Sequence, residues 1–160
     1  MRENKFRGRR IDNGEWVYGH YFTPPPTDEN SGLPPESGWF FLSGSSERHC
    51  IEQDGVVFTV DPETVGQFTG LLDSKRTEEY PAGQPIYEGD VVQLYGHFDE
   101  GILPYHNAKV LFKDGCFCID DLFENDVISI SRWDDENIDG EIVVIGNIYE
   151  NPELLGGDSE

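Results

Sequence analysis

Apolar and polar positions alternate with a period of two over short runs, and Gly, Asn, Asp and Pro separate the runs. That is the pattern of β-strands joined by tight turns. The first instance is KFRGRRIDNGEWVYGHYF, in which the polar turn Asp12-Asn13-Gly14 divides two extended arms. Asn-Gly marks a hairpin because both residues tolerate positive φ. In the second arm Trp16, Tyr18, His20 and Phe22 share one face and Val17, Gly19 and Tyr21 the other, so the aromatic face is expected to meet a core.

Residues 23–38 hold five of the ten prolines together with Ser, Asn and Gly, which predicts a mobile surface loop. WFFL (39–42), RHCIE (48–52) and VVFTV (56–60) read as short strands, the last two joined at Gln53-Asp54-Gly55. Asp61-Pro62-Glu63 reads as a turn or a short helical start. From Tyr87 onwards strand and turn repeat: DVVQLY, a loop from Gly96 to Asn107, AKVLF, the turn Lys113-Asp114-Gly115, CFCI, an acidic segment, VISISR, an acidic loop and EIVVIGNIY. Such a series predicts a small barrel or curled sheet. Asn151-Pro152-Glu153-Leu154-Leu155 resembles a capped helical turn with its leucines folded back, and GGDSE a frayed tail. Helix content is low, with no internal repeat and no heptad.

Composition narrows the function classes. The chain has 160 residues, enough for one domain or two small ones, and aromatics reach 12% against a hydrophobic share of 36%. Eleven Lys and Arg face thirty-two Asp and Glu, a net charge of −21. Residues 49–160 carry twenty-five of those acids and only five of the bases. Direct binding to nucleic acid is not expected, because cations supply most of the affinity for phosphate backbones. Membrane association is not expected either, since no run approaches the roughly 18 apolar residues of a span. Cys50, Cys116 and Cys118 form no disulfide framework, and no apolar leader precedes a cleavage site, which points to a reducing cytoplasm.

Three segments, TVGQFTGLLDSK (64–75), PIYEGDVVQL (85–94) and EIVVIGNIYENPELL (141–155), preceded by KFRG, resemble the YopX family of bacteriophage and prophage proteins in order and spacing. The resemblance implies a mainly β, or α+β, protein: an irregular β-rich N-terminal region over 1–84, with its Pro-rich loop at 23–38, an SH3-like barrel over 85–155 and a disordered tail at 156–160. It carries over no reaction, ligand or catalytic residue.

Glu88 and Asp90 bracket Gly89, a pairing suited to acid–base work or a divalent cation but also to an Asx-type turn leading into a strand, and the turn is favoured. Cys116 and Cys118 with His49 and Cys50 match a zinc site in number but not in spacing, so both strand cysteines are expected inside as small apolar groups and no metal or cofactor is expected. His97 and His106 flank a Tyr- and acid-rich loop, a weak constellation, and no nucleophile elbow, P-loop or dinucleotide fingerprint is present. An enzyme is therefore not expected. The acidic positions Asp120, Asp121, Glu124, Asp126, Asp134, Asp135, Glu136, Asp139 and Glu141 remain as a candidate binding surface. Ordinary solvation accounts for most charge runs, yet such density costs stability through self-repulsion. The expected role is binding of a protein partner, with imitation of DNA as the alternative and a small hydrolase or nucleotide-binding enzyme as a third reading. Strand edges also make a homo-oligomer an expectation.

Overall fold

The computed structural model describes residues 4–24, 48–121, 126–130 and 141–156. The proposed strand WFFL, most of the Pro-rich loop, and the tail beyond Gly156 lie outside them. The protein is mainly β. Two compact units are formed, Lys5–Val65 and Met1–Asn4 with Gly66–Glu160.

In the unit Lys5–Val65, strands β1 (Phe6–Arg9), β2 (Trp16–Phe22), β3 (Cys50–Gln53) and β4 (Val56–Thr59) follow one another as antiparallel neighbours. The first hairpin forms as its turn residues predict, with a difference in detail. Gly14 alone takes positive φ, at 73°, whereas Asn13 acts through its side chain, accepting the Glu15 N–H at 3.0 Å. At the β3–β4 turn Asp54 and Gly55 both take positive φ, 53° and 83°, the arrangement of a two-residue type I′ hairpin. Asp61 caps a single 3-10 turn at Pro62–Thr64, its carboxylate accepting the Glu63 N–H.

The face of β2 that meets the core is the one opposite to expectation. Val17 is buried and packs with Ile51 and Val60, Tyr21 lies against them, and Tyr18 on the other face is exposed. Gly19, on the buried face, lets β3 approach so closely that a Cβ there would stand 1.9 Å from the Glu52 carbonyl oxygen. The large rings have other partners: the Arg7 guanidinium lies 4.8 Å from the Trp16 ring centroid, and His20 stacks on Phe22.

In the second unit β5 (Gly66–Leu72) and β6 (Pro85–Tyr87) are antiparallel partners. β5 occupies the TVGQFTGLL segment, to which the alternation pattern assigned no strand. A five-stranded antiparallel sheet then follows: β7 (Asp90–Phe98), β8 (Gly101–Lys113), β9 (Cys116–Asp121), β10 (Asp126–Ser129) and β11 (Glu141–Asn147), in the order β10-β9-β8-β7-β11. Successive strands run as a meander and the last returns to pair with the first, and the sheet curls into a half-barrel. Val92, Leu94, Val110, Ile119 and Ile142 fill its interior with Ile86 from β6.

The stretch expected as a loop from Gly96 to Asn107 is strand. β7 and β8 stay paired to Phe98↔Gly101, with Asp99-Glu100 as the turn. Pro104 hid this from the pattern, since proline cannot supply a ladder donor. It is accommodated where the register slips between Leu94 and Tyr95, a β-bulge that leaves Tyr105 unpaired in the ladder.

One carboxylate ties the second unit together. Asp73, just after β5, is 6% exposed. Its Oδ1 accepts the N–H groups of Gln84 at 2.8 Å and Lys75 at 3.2 Å, and its Oδ2 accepts that of Val144 in β11 at 3.0 Å. Ser74 continues the pairing: its N–H donates to the Ile142 carbonyl at 2.7 Å, and its Oγ accepts the Ile142 N–H at 3.0 Å. Asp73 and Ser74 thus pair with the outer side of β11, at the point where the register shifts between Val144 and Gly146.

Two substitutions test this account by denaturant unfolding. Gly19→Ala is expected to lose about 1–3 kcal/mol through overpacking against the β3 backbone. Asp73→Ala, which strands three N–H groups, is expected to lose about 3 kcal/mol, with Asp73→Asn recovering part because it keeps an acceptor. An unchanged midpoint in either alanine variant would contradict the packing or the bonding described.

Candidate acidic surface

Glu88 and Gly89 form a turn that leads into Asp90, the first residue of β7. Asp90 is 1% exposed, and its Oδ2 accepts the Tyr87 N–H at 2.8 Å. Gly89 between them takes φ of 89°, donates to the Val110 carbonyl and accepts from the Ile148 N–H, both at 2.9 Å. The Tyr149 ring lies where a Cβ on Gly89 would come within 3.0 Å of it. The three residues turn the chain into β7 and lock it to the end of β11, as the turn reading predicts. At that end Asn147 Oδ1 accepts the N–H groups of Tyr149 at 3.0 Å and Glu150 at 2.9 Å. The 3-10 turn Pro152–Leu154 follows, and its Leu154 carbonyl accepts from the Asn107 amide at 3.1 Å.

The cysteines also depart from expectation. Cys118 is buried but Cys116 is exposed, and all three cysteines are free. Among the described residues no group of three or more His, Cys, Asp and Glu is placed to hold a metal ion. His106 stands in β8 opposite Leu94, and His97 in β7 opposite Ile102, so the two lie along one hairpin and not at the mouths of a loop.

The topology gives the carboxylate positions a common direction. β7 and β9 run the same way, and they end at Asp99-Glu100 and at Asp120-Asp121. β10 and β11 run back, and they begin at Asp126 and Glu141. Register sets Asp126 directly opposite Asp121, and Asp120 opposite Val127. Asp120 is 4.0 Å from the Lys109 ammonium, an exposed pair worth little to stability. Glu141 is exposed, opposite Tyr95. Glu124, Asp134, Asp135, Glu136 and Asp139 lie outside the described residues.

Beyond Glu141 the β7–β8 hairpin continues for three further residue pairs, Gly96↔Leu103, His97↔Ile102 and Phe98↔Gly101. At a strand rise of about 3.4 Å per residue it projects roughly 10 Å past the start of β11. It carries exposed apolar side chains, Phe98 at 50%, Ile102 at 45% and Leu103 at 41%, around the exposed acids Asp99 and Glu100. Sequence reasoning missed this projection because it took 96–107 for a loop. The signal was Asp99-Glu100-Gly101 set between apolar residues, a turn in the middle of a hairpin.

Among the described residues no helix is long and apolar enough to cross a membrane. No curated protein and no solved structure matches the chain. The family model described as YopX protein matches residues 5–156. The match takes in all three sequence segments that carry the resemblance, whose conspicuous polar residues Asp73, Asp90 and Asn147 bond backbone N–H groups around β6, β7 and β11. With nearly its whole length inside that match, the chain belongs to the YopX family.

Proposed function

We propose that the protein is a phage-encoded accessory protein of the bacterial cytoplasm that binds a basic protein partner through the projecting β7–β8 hairpin and the acidic strand ends behind it. The observation that carries the reading is the combination of acidic and apolar side chains on the projecting β7–β8 hairpin. Asp99 and Glu100 stand at the tip of the projecting hairpin among exposed Phe98, Ile102 and Leu103, Glu141 lies three residue pairs below the tip, and Asp120, Asp121 and Asp126 lie lower still, level with Val91 and Val92 at the start of β7. Carboxylates steer and select a basic surface, while apolar side chains supply the contact energy that charge alone does not. This mixture favours a protein partner over imitation of DNA, for which an apolar projection has no use.

The test is affinity capture from host lysate with the full chain, compared with the double variant Ile102→Lys/Leu103→Lys. A captured basic protein should bind the double variant at least about tenfold more weakly and should be released as salt rises. Equal retention by both proteins would overturn the proposed surface. Displacement of the captured protein by duplex DNA, with the double variant still binding, would establish mimicry instead.

The same reading bears on self-association. Asp73 and Ser74 cover the outer side of β11, so among the described residues β10 is the edge of this sheet from which a homo-oligomer would grow. Sedimentation of the full chain is expected to show a concentration-dependent dimer, and a monomer at all concentrations would remove that claim.

A further inference from the structure

Two thiols stand at the opposite end of the sheet from the projecting hairpin, where β8 turns into β9. The turn is Asp114-Gly115, both at positive φ, 51° and 84°, and it sets Lys113 opposite Cys116 and Leu111 opposite Cys118. Side chains two apart on a strand share a face. Here the two sulfurs are 3.3 Å apart, and the Cys116 thiol donates to the Lys113 carbonyl at 3.5 Å. Cys116 is exposed and Cys118 buried. Phe117 between them points to the other face, where it is buried and meets the Phe112 ring edge-on at a centroid distance of 5.1 Å.

We propose that Cys116 and Cys118 form a redox-active dithiol that closes to an intrastrand disulfide by exchange with a small-molecule disulfide of the glutathione class. The asymmetry of exposure assigns the order of events. Cys116, open to solvent, gives up its proton and its sulfur attacks the external disulfide. That S–S bond breaks, one small thiolate leaves and takes up a proton, and Cys116 is left in a mixed disulfide. Cys118 then loses its proton and attacks the Cys116 sulfur, expelling the second small thiol. Two protein thiols have become one disulfide, and one external disulfide has become two thiols.

Burial and the neighbouring Cys116 push the Cys118 thiol up to about 11, so it is a poor first nucleophile. Its proximity suits it to the second step, which is intramolecular. Cys50 is a contrast within the same chain: it is 1% exposed and burial raises its thiol also, with no second cysteine on its strand.

The backbone makes the closed form labile. Two residues of extended strand set the Cα atoms about 6.7 Å apart, near the upper limit of about 6.8 Å for a disulfide. A bond closed at that limit is strained and readily reduced. Closure has to shorten the strand across Phe117, so the redox state is linked to the Phe112–Phe117 contact.

The experiment incubates the full chain with oxidised glutathione, blocks free thiols by alkylation and maps the products by peptide mass spectrometry. The wild type is expected to give a Cys116–Cys118 disulfide, with Cys50 unmodified in the folded protein and the bond reopened by excess reduced glutathione. Cys118→Ser should stop at a Cys116–glutathione adduct, and Cys116→Ser should lose both adduct and closure. Circular dichroism of each variant verifies that it is folded, and Cys118→Ala serves if the serine is not. A wild type that accumulates the Cys116 adduct without closing would overturn the proposal, as would modification of Cys50 at a rate equal to that of Cys116.

Discussion

The second unit depends on one buried carboxylate acting as a backbone partner. Asp73 gives one oxygen to the loop that leads into β6 and the other to β11, joining residues 71 positions apart in the chain. A β-sheet edge presents unpaired N–H and C=O groups, and the chain meets that need internally with two residues and not with a sixth strand. The irregularity of β11 at Val144–Gly146 is therefore matched to its neighbour: a carboxylate can follow a shifted register where a regular ladder could not. Asp90 does comparable work at the start of β7.

Within a chain of net charge −21, the carboxylates of this unit divide into two kinds. Asp73 and Asp90 are withdrawn from solvent and accept backbone N–H groups. Asp99, Glu100, Asp114 and Glu141, by contrast, are exposed at turns and at the start of β11, where water screens them.

The sequence was most legible where local stereochemistry decides. The turns at Gly14, Asp54-Gly55 and Asp114-Gly115 follow from residues that accept positive φ, and the hairpins came with them. It was least legible where tertiary contact decides. Which face of β2 is buried depends on packing against Ile51 and Val60, more than thirty residues from Val17, and period-two alternation is silent between two apolar faces. β8 was obscured by Pro104 and rescued by a bulge that no local rule specifies. The same limit holds for the site. Composition pointed to carboxylates, and Glu88–Asp90 was rightly read as a turn, yet only the topology separates Asp73, a structural acceptor, from Asp99 and Glu100 at the tip of an exposed hairpin.

The pairing of β11 with β7 also has a temporal side. Residues 141–147 are separated from their partners at 90–95 by the whole of β8, β9 and β10, and the Asp73 contacts to β11 span a still longer stretch. During synthesis β7 acquires its β8 neighbour long before its β11 neighbour exists, and one flank of the growing sheet stays open meanwhile. Closing such a long loop is entropically costly and slow compared with the hairpins inside it. The unit Lys5–Val65 has its strands complete by Thr59 and has no such wait. The chain is therefore built to fold in two tempos, an early local one and a late one completed by its own C-terminal strand.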